Sequence, residues 1–76
     1  MTKADMLIEY ITRDLVARIM EDEKLGMNEA MERFYTSQTF LKLADQETGL
    51  YLDSSPAVYV LYQDERKYGR LVQNEQ

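Results

Sequence analysis

Residues 3–24 read KADMLIEYITRDLVARIMEDEK and contain neither proline nor glycine, so they predict one long helix. Thr2 and Asp5 fit a capping box at its start, because the Thr2 hydroxyl can accept a hydrogen bond from the amide three residues later. Acid-before-base pairs four residues apart also favour a helix over this range. Gly26 can adopt the left-handed conformation that often follows a helix, so we expect the helix to end there.

A turn of about 100° per residue places two apolar stripes on opposite sides of this helix. The stripe suited to the core consists of Leu7, Ile8, Ile11, Leu15 and Ile19. The other stripe, which we call the second face, consists of Met6, Tyr10, Arg13, Ala17 and Met20. Asp14 and Glu21 border the second face on one flank, and Glu9 borders it on the other. Opposite sides of a helix lie about 10 Å apart, so one small core cannot easily cover both stripes.

The second face allows two interpretations. Apolar stripes usually belong to a core, so the final helix of the same chain could cross back and cover it. Methionine and tyrosine also recur at protein interfaces, because methionine adapts to irregular contacts and tyrosine offers a large, fairly rigid surface. We predict that the second face binds another protein chain, with coverage inside the monomer as an equally weighted alternative.

The rest of the chain predicts three further helices and a connector. The predicted ranges are 28–36 and 37–44 for two short helices, 45–55 for the connector and 56–72 for the final helix. Their expected N-caps are Asn28 for the second helix, Thr36 or Ser37 for the third, and Ser55, followed by Pro56, for the last. The residues predicted to point inward are Phe40, Leu41, Leu43 and Ala44 in the third helix, and Val58, Leu61, Tyr62, Tyr68 and Val72 in the last.

Residues 57–62 could form either a helix or a strand, because they are rich in the β-branched and aromatic residues that strands favour. A lone strand in an otherwise helical chain would lack a pairing partner, so a helix is the preferred interpretation. The sequence thus predicts an all-α fold in one domain, residues 1–76, with the final helix packed back on the first.

The composition excludes most familiar chemistries. The chain has 76 residues, of which 45% are apolar and 30% charged, as is typical of one small globular domain. It contains no Cys and no His, which excludes disulfides, zinc sites with thiolate or imidazole ligands, and Cys-His or Ser-His catalytic pairs. The net charge of −5 would repel a phosphate backbone. We therefore predict no cofactor and no direct contact with nucleic acid.

The N-terminal sequence predicts a cytoplasmic protein. The first twenty residues alternate charged and apolar groups, unlike a secretory signal. No stretch of the sequence is long and apolar enough to predict a membrane span, so no membrane contact is expected.

Two acidic clusters have some features of metal sites, but we predict no metal at either of them. Glu21-Asp22-Glu23 could offer oxygen ligands to a hard cation, but consecutive helical residues point in different directions, so a solvated helix end is the preferred interpretation. Asp45, Glu47 and Gly49 match only part of a calcium loop, because Pro56 stands where the bidentate glutamate is needed.

Two further functions stay open as alternatives. A small DNA-associated regulator would act through a dimer or a partner, because the helix that could read DNA, Ser37 to Asp45, carries Lys42 as its single cation. A carboxylate-dependent enzyme would use Glu65, which projects near the apolar stripe of the last helix. The simpler interpretation of Glu65 is a side chain whose methylenes cover the core while its carboxylate reaches water.

A set of short motifs runs along the chain. It comprises Met-Thr-Lys at the start, Ile8-Glu9-Tyr10-Ile11, residues 30–37, Thr48-Gly49-Leu50-Tyr51, Ser55, Val58-Tyr59 and Glu65. This pattern resembles small uncharacterised helical proteins from gut-type bacteria, over most of the chain. Some of those proteins belong to a family of unknown function encoded beside toxin-like proteins. The resemblance implies a partner-binding or antitoxin-like role and carries over no functional residue.

The function predicted from these observations is a non-enzymatic protein-protein interaction module, antitoxin-like or self-associating. Its partner is predicted to be a second copy of the chain, giving a homodimer, or one other protein. The residues predicted to make this contact are Met6, Tyr10, Arg13, Ala17 and Met20.

Overall fold

The structure of the protein is a computed structural model that describes residues 2–69. These residues form four α-helices and two short 3₁₀ turns, with no strand among them. The helices are α1 (Lys3–Glu23), α2 (Met27–Tyr35), α3 (Gln38–Ala44) and α4 (Ser55–Tyr68), and the turns are Gln46–Thr48 and Leu50–Leu52. The predicted all-α fold with a long first helix is confirmed, and the stretch 57–62 is helical.

The start of α1 follows the prediction and its end does not. The Asp5 amide donates to the Thr2 hydroxyl over 3.1 Å, and the Thr2 amide donates back to the Asp5 carboxylate over 3.4 Å, which completes the capping box. At the other end Lys24, not Gly26, adopts the left-handed conformation, with φ 59°. Gly26 instead has φ −73° and is the N-cap of α2, because the short link between the helices requires an extended residue there.

Two other predicted caps are wrong by one or two residues, and one is right. Asn28 lies inside α2 rather than before it. Ser37 caps α3 as predicted, since its hydroxyl accepts from the Phe40 amide over 3.1 Å. Ser54, not Ser55, caps α4 by accepting from the Ala57 amide over 3.3 Å. Pro56 fits the second helical position equally well, because no amide in the first turn has a helical acceptor.

The core forms where α1 packs against the other three helices. Ile11, Leu15 and Ile19 of the predicted core stripe are buried, and Ile8 is partly buried against them. Val16 joins them on the side that faces α2. The packing of α4 on α1 agrees with the prediction. The full set of buried apolar residues is Ile11, Leu15, Val16, Ile19, Ala30, Phe34, Leu43, Leu50, Val58, Tyr59 and Tyr62.

The predicted inward faces of α3 and α4 are only partly right. In α3, Leu41 is 67% exposed and Ala44 is also exposed, while Thr39 and Leu43, four residues apart, are buried. On this buried side the amide and hydroxyl of Thr39 donate to the Glu65 carboxylate of α4.

In α4, Tyr59 is buried and Tyr68 is exposed, so the buried stripe is shifted from the predicted one. The helix ends at Tyr68, followed by Gly69 with φ 78°, and the predicted Val72 lies outside the described residues. None of the described helices is long and apolar enough to cross a membrane.

Candidate interaction surface

The second face of α1 is largely open in the described part of the chain. Met6 is 58% exposed and Tyr10 is 66% exposed, although both are large apolar side chains. Arg13 and Ala17 are also exposed. Met20 differs from the other four, because it is partly buried and packs against the core. Neither α4 nor any other described element encloses Met6 or Tyr10.

A groove of about 310 Å³ runs between α1 and α2. One wall belongs to α1 and consists of Val16 together with Ala17 and Met20 of the second face. Arg13 lies at the rim of the groove. The other wall comes from α2 and consists of Met27, Met31 and Tyr35. We call this feature the α1–α2 groove, and its lining is mainly apolar.

The α2 wall of the groove was missed from the sequence. In the sequence, Met27, Met31, Phe34 and Tyr35 have helical spacing, which is typical of one apolar stripe. At about 100° per residue, however, Met27, Met31 and Tyr35 drift steadily away from the direction of Phe34. Phe34 is buried while Met27 is 59% exposed and Tyr35 is 44% exposed. The drift accounts for the exposure of Tyr35, about 100° from Phe34 around the helix, but not for that of Met27, which lies within about 20° of Phe34.

Tyr10 stands on the other flank of α1, beside a second cleft of about 470 Å³. Leu7 of α1 and Tyr51 and Leu52 of the 3₁₀ turn also line this cleft. The five residues predicted from the sequence therefore divide. Arg13, Ala17 and Met20 line the α1–α2 groove, Tyr10 lines the second cleft, and Met6 lines neither.

The acidic end of α1 is a hub of polar contacts rather than a solvated helix end. Glu23 accepts a hydrogen bond from Arg33 of α2 over 2.7 Å and one from the Tyr62 hydroxyl of α4 over 3.0 Å. Asp22 accepts from the Tyr59 hydroxyl. Carboxylates near a helix C-terminus are disfavoured by the helix dipole, so these partners offset that cost and join α1 to two other helices.

The two tyrosines at this hub have raised pKa values. Burial is the main cause at both sites, followed by the hydrogen bond to the carboxylate, Asp22 for Tyr59 and Glu23 for Tyr62. Both effects oppose the phenolate form, because it would be poorly solvated and would lie against a negative charge. Arg66 and Arg33 lower the pKa of Tyr62 but do not reverse its shift.

Stability is therefore expected to fall as the pH rises above about 10, the ordinary pKa of tyrosine. Above that pH the unfolded chain releases the tyrosine protons while folded Tyr59 and Tyr62 keep theirs, so ionisation favours unfolding. Urea denaturation between pH 8 and about pH 11 measures the free energy of unfolding at each pH. The slope of this free energy against pH should be steepest in the native protein. The variant Tyr59→Phe/Tyr62→Phe should show a flatter dependence, whereas Tyr10→Phe, at an exposed position, should keep the native slope. An unchanged slope in the double variant would contradict the prediction.

The Glu65 carboxylate of α4 binds the first turn of α3. One carboxylate oxygen accepts from the Gln38 amide over 2.8 Å, and the other accepts from the Thr39 amide and hydroxyl over 2.9 and 2.8 Å. The carboxylate, which belongs to α4, thus caps α3. The simpler interpretation from the sequence expected it to reach freely into water instead. Within residues 2–69, no group of three or more acidic side chains is arranged to hold a metal ion.

Comparison with known proteins adds no relative. No family model matches the chain, and neither the curated proteins nor the solved structures include a match.

Proposed function

We propose that this domain is a non-enzymatic protein-protein interaction module that binds one protein chain through the second face of α1 and the adjoining α1–α2 groove. The observation that carries the proposal is the exposure of Met6 and Tyr10 at 58% and 66% on a helix whose other side is fully committed to the core. Large apolar side chains gathered on one surface typically mark a protein contact.

The surface suits such a contact in composition and in rigidity. Methionines on both walls of the groove can adapt to a partner's shape. Tyr10 and Tyr35 add large contact areas, and each has few rotatable bonds that binding must immobilise. The helix beneath them is anchored at its start by the capping box and at its end by the polar hub. A platform fixed at both ends loses little entropy on binding.

The partner is a second copy of this chain or one other protein, and the proposal includes no direct contact with nucleic acid. An antitoxin-like role, which the sequence resemblance implies, belongs to this proposal as the case in which the partner is a different protein. A cytoplasmic location belongs to the same proposal.

Tyr10→Asp is expected to weaken the association about tenfold or more, because it places a charge on the apolar second face of α1. Analytical ultracentrifugation at about 100 µM measures association between copies. A photo-reactive amino acid at Ala17, introduced in the cells that make the protein, captures a different partner as a single adduct. The same group at Glu47, which lies outside the groove and the second face, is the matched control.

Both readouts have a contrary outcome. The proposal would be refuted if the protein is a strict monomer and the photo-reactive group captures the same adducts at position 17 as at position 47. Tyr10 is exposed, so Tyr10→Asp should change the free energy of unfolding by less than about 0.5 kcal/mol. A larger loss would mean that the variant acts by unfolding, and Met6→Asp then repeats the test at a separate exposed position.

A further inference from the structure

We infer that the second face binds a second copy of this chain, with the two α1 helices packed antiparallel along their second faces. The inference rests on the proposed function and names the partner. From Met6 to Met20, the five residues of the second face follow one another at intervals of four, three, four and three positions. These are the intervals of a coiled-coil seam, so the surface has the pattern that packs against another helix.

A two-fold axis level with position 15 brings the seams of the two copies into register. In such a pair, a residue that precedes position 15 lies opposite the residue that follows it by the same number of positions in the other copy. Tyr10 then faces Met20 of the second copy, and Arg13 faces Ala17. Methionine packs well against an aromatic ring, and the small Ala17 leaves room for the long Arg13 side chain.

Charge complementarity favours this register. Asp14 and Glu21 border the second face on one flank, three positions before and four positions after Ala17. These intervals correspond to about 4.5 and 6 Å along the helix, so the surface beside Ala17 is acidic on that flank. Arg13 of the second copy stands opposite Ala17, where its guanidinium can reach these carboxylates. The two-fold axis repeats the contact, so each copy supplies one cation and receives another.

The charged groups are available for this contact. The Arg13 guanidinium lies 3.5 Å from Glu9, with 78% of the Arg13 side chain and 52% of the Glu9 side chain exposed. Exposed pairs of this kind contribute little stability, so Arg13 can exchange Glu9 for the second copy at little cost. Asp14 binds Arg18 of its own helix over 3.2 Å through one oxygen, and a carboxylate can accept from two donors.

Other arrangements lack this match of charges. A parallel pair of α1 helices would place Arg13 beside Arg13 of the other copy, and like charges across an interface disfavour binding. A helix from a different protein would need its own cation at the level of Ala17, whereas a second copy always carries one there. The antiparallel dimer is therefore the arrangement that the charges of the second face favour.

The exposed apolar area has the size that a dimer needs. Met6 and Tyr10 on α1, with Met27 and Tyr35 at the rim of the α1–α2 groove, are 58%, 66%, 59% and 44% exposed. If a whole side chain of this size offers roughly 200 Å², these four expose about 400–500 Å² together. A specific interface buries about 800 Å² on each partner, of which a little over half is apolar. The surface therefore matches one interface of ordinary size.

Charge-swapped variants test the contact between copies. Arg13→Asp puts an acid opposite Asp14 and Glu21, and Asp14→Arg puts a base near Arg13. We expect sedimentation equilibrium to show each variant dimerising about fivefold or more weakly than the native protein. In an equimolar mixture each variant supplies the charge that the other has lost, so the mixed dimer should form at least about fivefold more tightly than either variant with itself.

Net charge alone predicts a different order of affinities. Asp14→Arg makes the net charge of −5 less negative by two and would tighten any dimer that is limited by repulsion between whole molecules. Glu47→Arg makes the same change outside the second face and is the matched control, which should not weaken the dimer. If Asp14→Arg dimerises as tightly as Glu47→Arg, or if the mixture is no tighter than Asp14→Arg alone, the inference is overturned.

Cysteine variants test the register without changing any charge, and they serve even if a charge variant fails to fold. The chain has no cysteine of its own. In a mixture of Tyr10→Cys and Met20→Cys, we expect disulfides between the two variants, because these positions face each other. The same position in the two copies lies about 15 Å apart along the axis, too far for a disulfide. Mass spectrometry distinguishes the products, and a predominance of disulfides between identical variants would contradict the antiparallel pair.

The remaining outcomes distinguish this inference from the proposed function. If the protein stays monomeric at about 100 µM while the photo-reactive group at position 17 captures a different protein, the inference fails and the proposed function stands. If a dimer forms that neither Arg13→Asp nor Tyr10→Asp weakens, and position 17 gives no specific adduct, the copies meet through another surface and both fail. Both also fail if neither a dimer nor a specific adduct forms.

Discussion

Phe34→Ala is expected to destabilise the protein by about 3–5 kcal/mol, which is the usual cost of removing a buried phenylalanine ring. Phe34 is fully buried on α2, and its ring packs edge-on against Phe40 of α3 at 5.4 Å and against Tyr62 of α4 at 6.1 Å. A domain of this size has a total stability of about 5 kcal/mol, so only about 0–2 kcal/mol would remain and up to about half of the molecules would be unfolded. Urea denaturation followed by circular dichroism measures the change.

Two control substitutions show whether the loss belongs to the ring. Phe34→Leu keeps an apolar side chain at the junction of three helices and should cost less than about 1.5 kcal/mol. Met6→Ala, at an exposed position, should change the stability by less than about 0.5 kcal/mol. If Phe34→Ala costs no more than Met6→Ala, Phe34 is not the centre of the core.

The sequence analysis was most accurate where the signals are local. The capping box of Thr2 and Asp5 lies within four residues, and the core stripe of α1 recurs at helical spacing within the same helix. The stripe spans about three turns, from Leu7 to Ile19. Both features follow from the geometry of a single helix, so no knowledge of the rest of the chain is needed. The same reason explains why the four helices and their order could be predicted.

Features that depend on distant residues could not be predicted. Glu65 binds the amide of Thr39, 26 positions earlier, on the buried side of α3, while Leu41 faces out. Tyr59 binds Asp22, 37 positions earlier, and is buried in a place where periodicity favoured Tyr68 instead. Neither pairing leaves a local mark, because any carboxylate on α1 could equally well have faced water.

The candidate site falls between these two cases. The second face could be read from α1 alone, and the exposure of Met6 and Tyr10 is compatible with it. Its division into a groove and a separate cleft depends on where α2 and the 3₁₀ turn pack beside α1, which periodicity does not specify. Only the structure places Met27, Met31 and Tyr35 opposite Ala17 and Met20.

Glu65→Ala is expected to destabilise the protein by about 3 kcal/mol, because it removes a charged acceptor from three donors at once. The amides of Gln38 and Thr39 belong to the first turn of α3 and have no helical acceptor of their own. A helix of seven residues is not stable by itself, so α3 depends on this cap and on its packing. Urea denaturation gives the loss of stability, and hydrogen exchange should show early opening of α3.

Glu65→Gln separates the charge from the hydrogen bonds. The amide keeps one acceptor oxygen of nearly the same shape, but its NH₂ group faces donors and cannot accept, so about half of the loss is expected. If the carboxylate reached water while its methylenes covered the core, both substitutions would cost less than about 0.5 kcal/mol and α3 would exchange no faster. The graded order, native above glutamine above alanine, is therefore the result that identifies Glu65 as the tertiary cap of α3.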